Sequence, residues 1–216
     1  SLMHVIILAA GMGTRLNKNK PKCLTVLSNG ETILQRQINA LLGYVDKEDI
    51  TIVVGYKKNM IKKEYSDYSF VFNSNYENTN TAKSLLCALD KKQLDSDLIW
   101  LNGDVVFDSE ILKPIFKSKK SSMLVNTNSV GQEEVKYNIN EDGTINKVSK
   151  RIQDGLGEAV GINKILRFHL EKFKYQLGKC DNNDYFEYAI ELLINQNIKI
   201  YPMDILDSFC CEIDTQ

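Results

Sequence analysis

Four short apolar runs, Val5–Leu8, Ile50–Val54, Phe70–Phe72 and Leu98–Leu101, recur through the first half of the chain without the alternation of a half-solvated strand. Strands buried on both faces read in this way, rich in Val and Ile and bounded by polar segments. Between the first two runs, Thr32 to Tyr44 puts Ile33, Leu34, Ile38, Leu41 and Leu42 on one face of a helix. After the third run, TAKSLLCAL from Thr81 to Leu89 repeats the helical spacing, with Asn80 or Thr81 placed to cap it. Buried strands that alternate with helices need crossover connections, and crossovers make parallel sheets. The pattern predicts an α/β fold: a Rossmann-like, mostly parallel sheet with flanking helices.

The rhythm changes after about residue 120, where MLVNTN, VKYNI, INKVSK and AVGIN are short strands parted by turns such as Glu141-Asp142-Gly143. Helices return at Ile165–Leu177 and Asp184–Asn195, followed by a strand over IKIYPM. No repeat, low-complexity segment or linker interrupts the chain. Residues 1–216 therefore read as a single domain with a β-rich insertion at about 120–165. Ser1-Leu2, ahead of Met3, reads as a remnant of expression. The chain stops at CEIDTQ, directly after a short strand, and a further helix is expected beyond Gln216.

Composition narrows the function classes. With a net charge of −1 over 216 residues, no bulk field attracts nucleic acid or an acidic membrane. No apolar run approaches the ~20 residues a bilayer span needs, and no secretory signal precedes the first strand. The five cysteines, Cys23, Cys87, Cys180, Cys210 and Cys211, are odd in number and form no C-x-x-C, which fits a reduced, cytoplasmic protein. His4 and His169 stand apart from any cysteine pair, so zinc is not expected. The two histidines read as a strand-edge and a helix-surface residue.

The chemistry concentrates in VIILAAGMGTRLNKNKPKCL, from Val5 to Leu24. Glycines where a strand ends let backbone N–H groups approach a phosphate, as Gly11 and Gly13 would here. A tight turn without a ligand is the plain alternative. The spacing is not that of a P-loop. Nor is it a dinucleotide fingerprint, because Leu16 stands where the third glycine belongs and Gly55 where the ribose-binding acid belongs. What favours a polyphosphate is the pair of cations downstream: Arg15 as a fork, and Lys22 as a point charge on a backbone fixed by Pro21. Further along, an apolar strand runs into Gly103-Asp104, which puts a carboxylate at the strand end, where open α/β sheets hold ligands. Asp108 reads as the cap of a helix over SEILKPIF.

The stretch LAAGMGTRL…KPKCL at residues 8–24 closely resembles the signature of the sugar nucleotidyltransferases. GYKKN, LNGDVVFD, GEAVGINK and CEIDTQ extend the likeness over nearly the whole chain. The resemblance implies a nucleotide-diphospho-sugar transferase-like fold. It also implies a nucleoside triphosphate held along Leu8, Ala9, Ala10, Gly11, Gly13 and Thr14, with Arg15 and Lys22 as catalytic cations. Asp104 and Asp214 would together hold Mg²⁺, whose hard octahedron takes one or two carboxylates plus phosphate oxygens. Glu212 shares a strand face with Asp214 and is an outer partner or a third ligand. The implied reaction is attack of a phosphate oxygen on the α-phosphorus. It needs no general base, because a phosphate monoester with a second pKa near ~6 is already anionic.

The segment NSNYENTNTAKSLLCAL lacks the Gln and Gly-Thr pattern of UTP- and dTTP-using relatives. It looks more like the small cytidylyltransferases of the phosphocholine type. That likeness implies CTP, with Tyr76, Glu77, Asn78 and Asn80 near base and ribose. A small phosphorylated acceptor of capsule or cell-surface decoration would enter over the β-rich half. Tyr76, Glu158, Tyr185, Glu187 and Glu212 are its candidate contacts, since aromatics beside acids hold cationic head groups. No full aromatic box is evident, as Trp100, the only tryptophan, falls in a core strand. Three alternatives stand. One is a sugar-1-phosphate uridylyl- or thymidylyltransferase. Another is a nucleotide-sugar glycosyltransferase, disfavoured because Asn102-Gly103-Asp104 lacks the first acid of Asp-x-Asp. The third is a non-catalytic nucleotide sensor. No nucleic-acid or membrane partner is expected, and a homodimer is left open.

Overall fold

In the computed structural model, which describes residues 3–12 and 19–213, the four apolar runs become β1 (Met3–Ala9), β2 (Ile50–Val54), β3 (Ser69–Phe72) and β4 (Asp97–Asn102). They lie side by side in the order β3-β2-β1-β4, all parallel. Their connections carry α1 (Ile33–Leu41), α2 (Lys58–Glu64) and α3 (Thr81–Lys92). Thr32 caps α1 by accepting from the Gln35 N–H at 3.1 Å, and Asn80 caps α3 by accepting from the Thr81 N–H at 2.8 Å.

Residues of β1 alternate between two cores, which is why the run reads as continuously apolar. Val5, Ile7 and Ala9 pack with Leu34, Ile38 and Leu41 of α1. Ile6, Leu8 and Ala10 pack on the other face with Leu85 and Leu89 of α3. That second core also takes Phe173 of α5 (Arg167–Lys179) and Phe186 of α6 (Phe186–Asn195), both of which close on the Trp100 ring at 5.0 and 5.5 Å.

The second half adds β5 (Val105–Phe107), the short helix α4 (Leu112–Lys117), β6 (Ser122–Asn126), β7 (Lys136–Ile139), β8 (Ile145–Ser149) and β9 (Gly157–Ile165). β9 runs antiparallel between β4 and β6, and the β7–β8 hairpin leans on it. β10 (Tyr201–Asp204) extends the sheet beyond β6, and β11 (Cys210–Glu212) pairs with β5 as a separate antiparallel ribbon. Among the described residues, no helix is long and apolar enough to cross a membrane.

The structure corrects several local expectations. The strand at IKIYPM starts only at Tyr201; Ile198 and Ile200 are buried ahead of it in a loop. Helix α2 was not foreseen, because among its residues only Ile61 is buried and an apolar stripe is lacking. Asp108 makes no side-chain cap to the 3-10 turn that follows it. Its carboxylate instead accepts from Arg36 at 3.4 Å and from the Phe209 N–H at 3.2 Å, tying α1 to the approach to β11. His4, read as a strand-edge residue, is the second residue of its strand. It lies in β1 between β2 and β4, with Nε2 2.8 Å from Thr51 Oγ1, and burial, then Lys92, pull its pKa down to about 4 against a smaller opposing pull from Asp49. His169 is half-buried on α5, bonded to Ser121 Oγ at 2.9 Å.

Candidate active site

The chain order reverses at β1: β2 and β3 lie to one side, β4 and β9 to the other. A crevice opens at such a point beyond the carboxyl ends of the strands. Here it is a cleft of about 560 Å³. Leu8, Ala9, Gly11, Lys22, Asn80 and Asp104 line it together with Glu134, Lys150, Tyr185, Glu187 and Glu212. The floor is made by close backbone approach. The Gly103 N–H donates to the Leu8 carbonyl at 2.8 Å, and a Cβ at Gly103 would come within 2.8 Å of that same oxygen. Among the described residues, a Cβ at Gly11 would meet nothing within 4 Å.

Lys22 begins a 3-10 turn, Lys22–Leu24, behind Pro21 at φ −57°. The turn is fixed by Leu24 N–H to Pro21 O at 3.0 Å, Thr25 N–H to Lys22 O at 3.0 Å and the Thr25 hydroxyl to the same oxygen at 2.7 Å. Its ammonium reaches Asp104 Oδ2 at 3.1 Å. Asp104 sits in the turn between β4 and β5, and two residues hold that turn. The buried Gln37 of α1 donates through Nε2 to the Asn102 carbonyl at 2.9 Å and to the Val105 carbonyl at 2.8 Å. From beyond β11, the Ile213 N–H donates to the Asp104 carbonyl at 2.9 Å. Glu212, one residue earlier, is close enough to Asp104 that crowding by protein atoms, and then this carboxylate, push its own pKa up to about 7.

The loops that carry Glu134 and Lys150 hang on a buried lysine. Lys136 of β7 donates through Nζ to the carbonyls of Gln132, Glu134 and Lys150 at 3.0, 3.1 and 2.9 Å, so one ammonium organises both loops that reach the cleft. Lys150 lies over the Tyr185 ring at 4.7 Å and donates to its hydroxyl at 3.4 Å. Burial opposes the Lys150 charge, but Tyr185, Glu212 and Glu134 outweigh it and raise the pKa. Glu187, in the first turn of α6, is 6% exposed, and its burial pushes the carboxyl up to about 7.

Several residues singled out in the sequence lie elsewhere. Tyr76 lines a separate depression of about 480 Å³ with Gly55, Lys58 and Phe72. Asn78 is exposed and bonds back to Asn75 Oδ1 at 3.1 Å. Ala10 is buried in the core behind the cleft. Glu158 accepts from the Ser129 hydroxyl at 2.9 Å and the Gly131 N–H at 2.7 Å, so it braces a loop rather than facing the cleft. Gly13, Thr14, Arg15 and Asp214 lie outside the described residues. Lys150, Glu134 and Gln37 were not singled out in the sequence. Lys150 follows the strand in INKVSK, and a lysine at a strand end was the one available signal.

The oxygen chemistry suits a hard dication. Asp104 and Glu212 approach each other on adjoining elements, and Mg²⁺ takes one or two carboxylates while phosphate oxygens complete its shell. Among the described residues, no group of three or more His, Cys, Asp or Glu forms an all-protein metal cage.

A family model described as MobA-like NTP transferase domain matches residues 5–172. The chain is 32% identical over 136 residues to CTP:phosphoglutamine cytidylyltransferase of Campylobacter jejuni, covering 57% of this chain and 52% of that protein. It is 33% identical over 126 residues to bifunctional protein GlmU of Francisella philomiragia, covering 58% of this chain and 27% of that protein. The matches thus span about half or less of these relatives' own lengths. Inositol-1-phosphate CTP transferase from T. maritima superposes with a TM-score of 0.81 at 19% identity, over 100% of this chain and 91% of that one. CTP:phosphocholine cytidylyltransferase from Streptococcus pneumoniae superposes with a TM-score of 0.76 at 21% identity, over 100% and 95%. At those identities the likeness establishes the fold.

Proposed function

The chain belongs to the MobA-like NTP transferase domain family, and from that premise we propose that it is a Mg²⁺-dependent cytidylyltransferase joining CTP to a small phosphorylated acceptor. The observation that carries this reading is one cleft lined by two cations that come from different parts of the fold. Lys22 is paired with Asp104 at the end of the parallel strands, and Lys150, just after β8, lies over Tyr185, with Glu187 also in the lining. Two phosphorylated substrates meeting face to face need that arrangement, because anion repulsion is the first barrier to their reaction.

In the proposed reaction the acceptor's phosphate oxygen forms a bond to the α-phosphorus of CTP. The bond from that phosphorus to the β-phosphate bridging oxygen breaks, and pyrophosphate leaves with the electron pair. The acceptor phosphate is already anionic near neutral pH, so no residue has to remove a proton. Lys22 stabilises charge on the triphosphate side, and Lys150 holds the acceptor phosphate. Mg²⁺, held by Asp104 with Asp214, would polarise phosphate oxygens as a Lewis acid.

CTP is favoured by the loop before α3 and by the likeness to the cytidylyltransferases named above. Asn80 lines the cleft with its Oδ1 engaged by the Thr81 N–H. Its amide N–H groups are then the part offered to a base. Cytosine presents acceptors at O2 and N3, whereas uracil carries a hydrogen on N3, and unpaired donors discriminate strongly. The acids Glu134, Glu187 and Glu212 near Lys150 suit an acceptor bearing an amine or amide, such as phosphocholine or a phosphorylated amino-acid derivative of cell-surface decoration. Pyrophosphate release across the four nucleoside triphosphates, each with phosphocholine, phosphorylated amino-acid derivatives and glucose-1-phosphate, tests the reading. Preferred turnover of UTP or dTTP with the sugar phosphate would replace it with a sugar activator.

A further inference from the structure

The Lys22–Asp104 pair assigns a second task to the lysine. We propose that Lys22 is a built-in placeholder for the metal: it neutralises Asp104 until a triphosphate arrives, which makes tight metal binding conditional on nucleotide. This rests on the reading of Asp104 as a metal ligand.

Three observations support the assignment. The pair is short, 3.1 Å from Nζ to Oδ2, and both side chains are largely withdrawn from water, at 19% and 21% exposure. Both backbones are fixed independently. The turn bonds from Leu24 and Thr25 hold Lys22, and Gln37 together with the Ile213 N–H holds the Asp104 turn. The contact is therefore set by the fold and is not a chance meeting of two long surface chains. Finally, both residues line the cleft beside Gly11, so a bound triphosphate would offer the ammonium a richer set of anionic oxygens than the single carboxylate.

The physics then orders the events. A dication approaching Asp104 in the empty cleft meets a positive charge about 3 Å from the same carboxylate, and that repulsion lowers its affinity. A triphosphate draws Lys22 onto phosphate oxygens and releases the carboxylate. Coupling of this kind is reciprocal, so metal and nucleotide raise each other's affinity by one factor. Removing the lysine charge should uncouple them.

The test reads metal binding with no CTP and no acceptor, using Mn²⁺ as the probe and its electron paramagnetic resonance signal as the measure of free ion. Lys22→Gln should bind Mn²⁺ alone about tenfold more tightly than the unsubstituted protein, the scale of one removed neighbouring charge in a partly desolvated site. Lys22→Arg keeps the charge and should bind as weakly as the unsubstituted protein. The gain should vanish in Lys22→Gln/Asp104→Asn. Equal or weaker binding by Lys22→Gln, tight binding by Lys22→Arg, or a gain that survives loss of Asp104 would each overturn the proposal. Because neither substrate is present, an error in the assigned nucleotide or acceptor leaves this result untouched and shows only in the pyrophosphate assay.

Discussion

The ammonium of Lys22 is paired with the Asp104 carboxylate in the lining of the cleft, and on the proposed function its removal should be felt in the transition state more than in binding. Lys22→Ala is expected to lower kcat by roughly two orders of magnitude or more, as loss of a transition-state charge partner does. Pyrophosphate release at saturating substrates measures it, and a change confined to KM would move the lysine to ground-state binding. Asp104→Asn should abolish most turnover with an unchanged circular dichroism spectrum, and adding Asp214→Asn should cost little more, since residues acting through one ion are non-additive. His4 offers a test of stability. Its folded pKa of about 4 lies below the ordinary 6.5, so the neutral ring contributes stability above about 6.5 that is lost as the pH falls through about 4. Lys92 and Asp49 are the charges facing it. Unfolding free energies from urea titrations at pH 7 and pH 5 should differ by about 1–2 kcal/mol less in His4→Gln than in the parent protein. Lys22 and Asp104 were legible in the sequence because each sits in a local motif at a strand end. Lys150 and Glu134 were not, because what brings them to the cleft is the buried ammonium of Lys136, a tertiary fact with no local pattern.

At the level of elements, the two-sided burial of β1, β2 and β4 is what made the parallel core readable: every second residue serves a different core. Elements with little to bury escaped. Helix α2 hides only Ile61 among its residues, and β5 is three residues long and finds its partner, β11, late in the chain. The joint between α1 and the β4–β5 turn was invisible for a related reason, since a glutamine inside an amphipathic helix gives no sign of the two carbonyls it serves. Gln37→Leu should therefore do more than its modest change of volume suggests. It leaves the carbonyls of Asn102 and Val105 without this donor, and the expected cost is about 1–3 kcal/mol in urea unfolding. Turnover should fall alongside, through the loosened Asp104 turn, while Gln37→Glu, of nearly the same shape, separates geometry from donor loss.

Over the whole molecule, the parallel half presents Lys22, Asn80 and Asp104, and the β-rich half with α6 presents Lys150, Tyr185 and Glu187. That division predicts separable kinetics. Glu187→Gln should raise KM for an amine-bearing acceptor severalfold and leave KM for CTP nearly unchanged; the reverse pattern would place Glu187 on the nucleotide. The change of rhythm after the first half was legible as a β-rich addition, whereas the antiparallel insertion of β9 between β4 and β6 was not, because strand order is decided by packing and not by pattern. One joint spans the molecule: the β5–β11 ribbon, with the Ile213 N–H on the Asp104 carbonyl. For a chain being made on the ribosome, this contact joins an early segment to one synthesised on the order of ten seconds later at ordinary elongation rates. Until that segment emerges, the parallel half can collapse around β1 but its acidic turn lacks its last support. A half-made polypeptide thus lacks the last contact that holds the Asp104 turn in the finished fold.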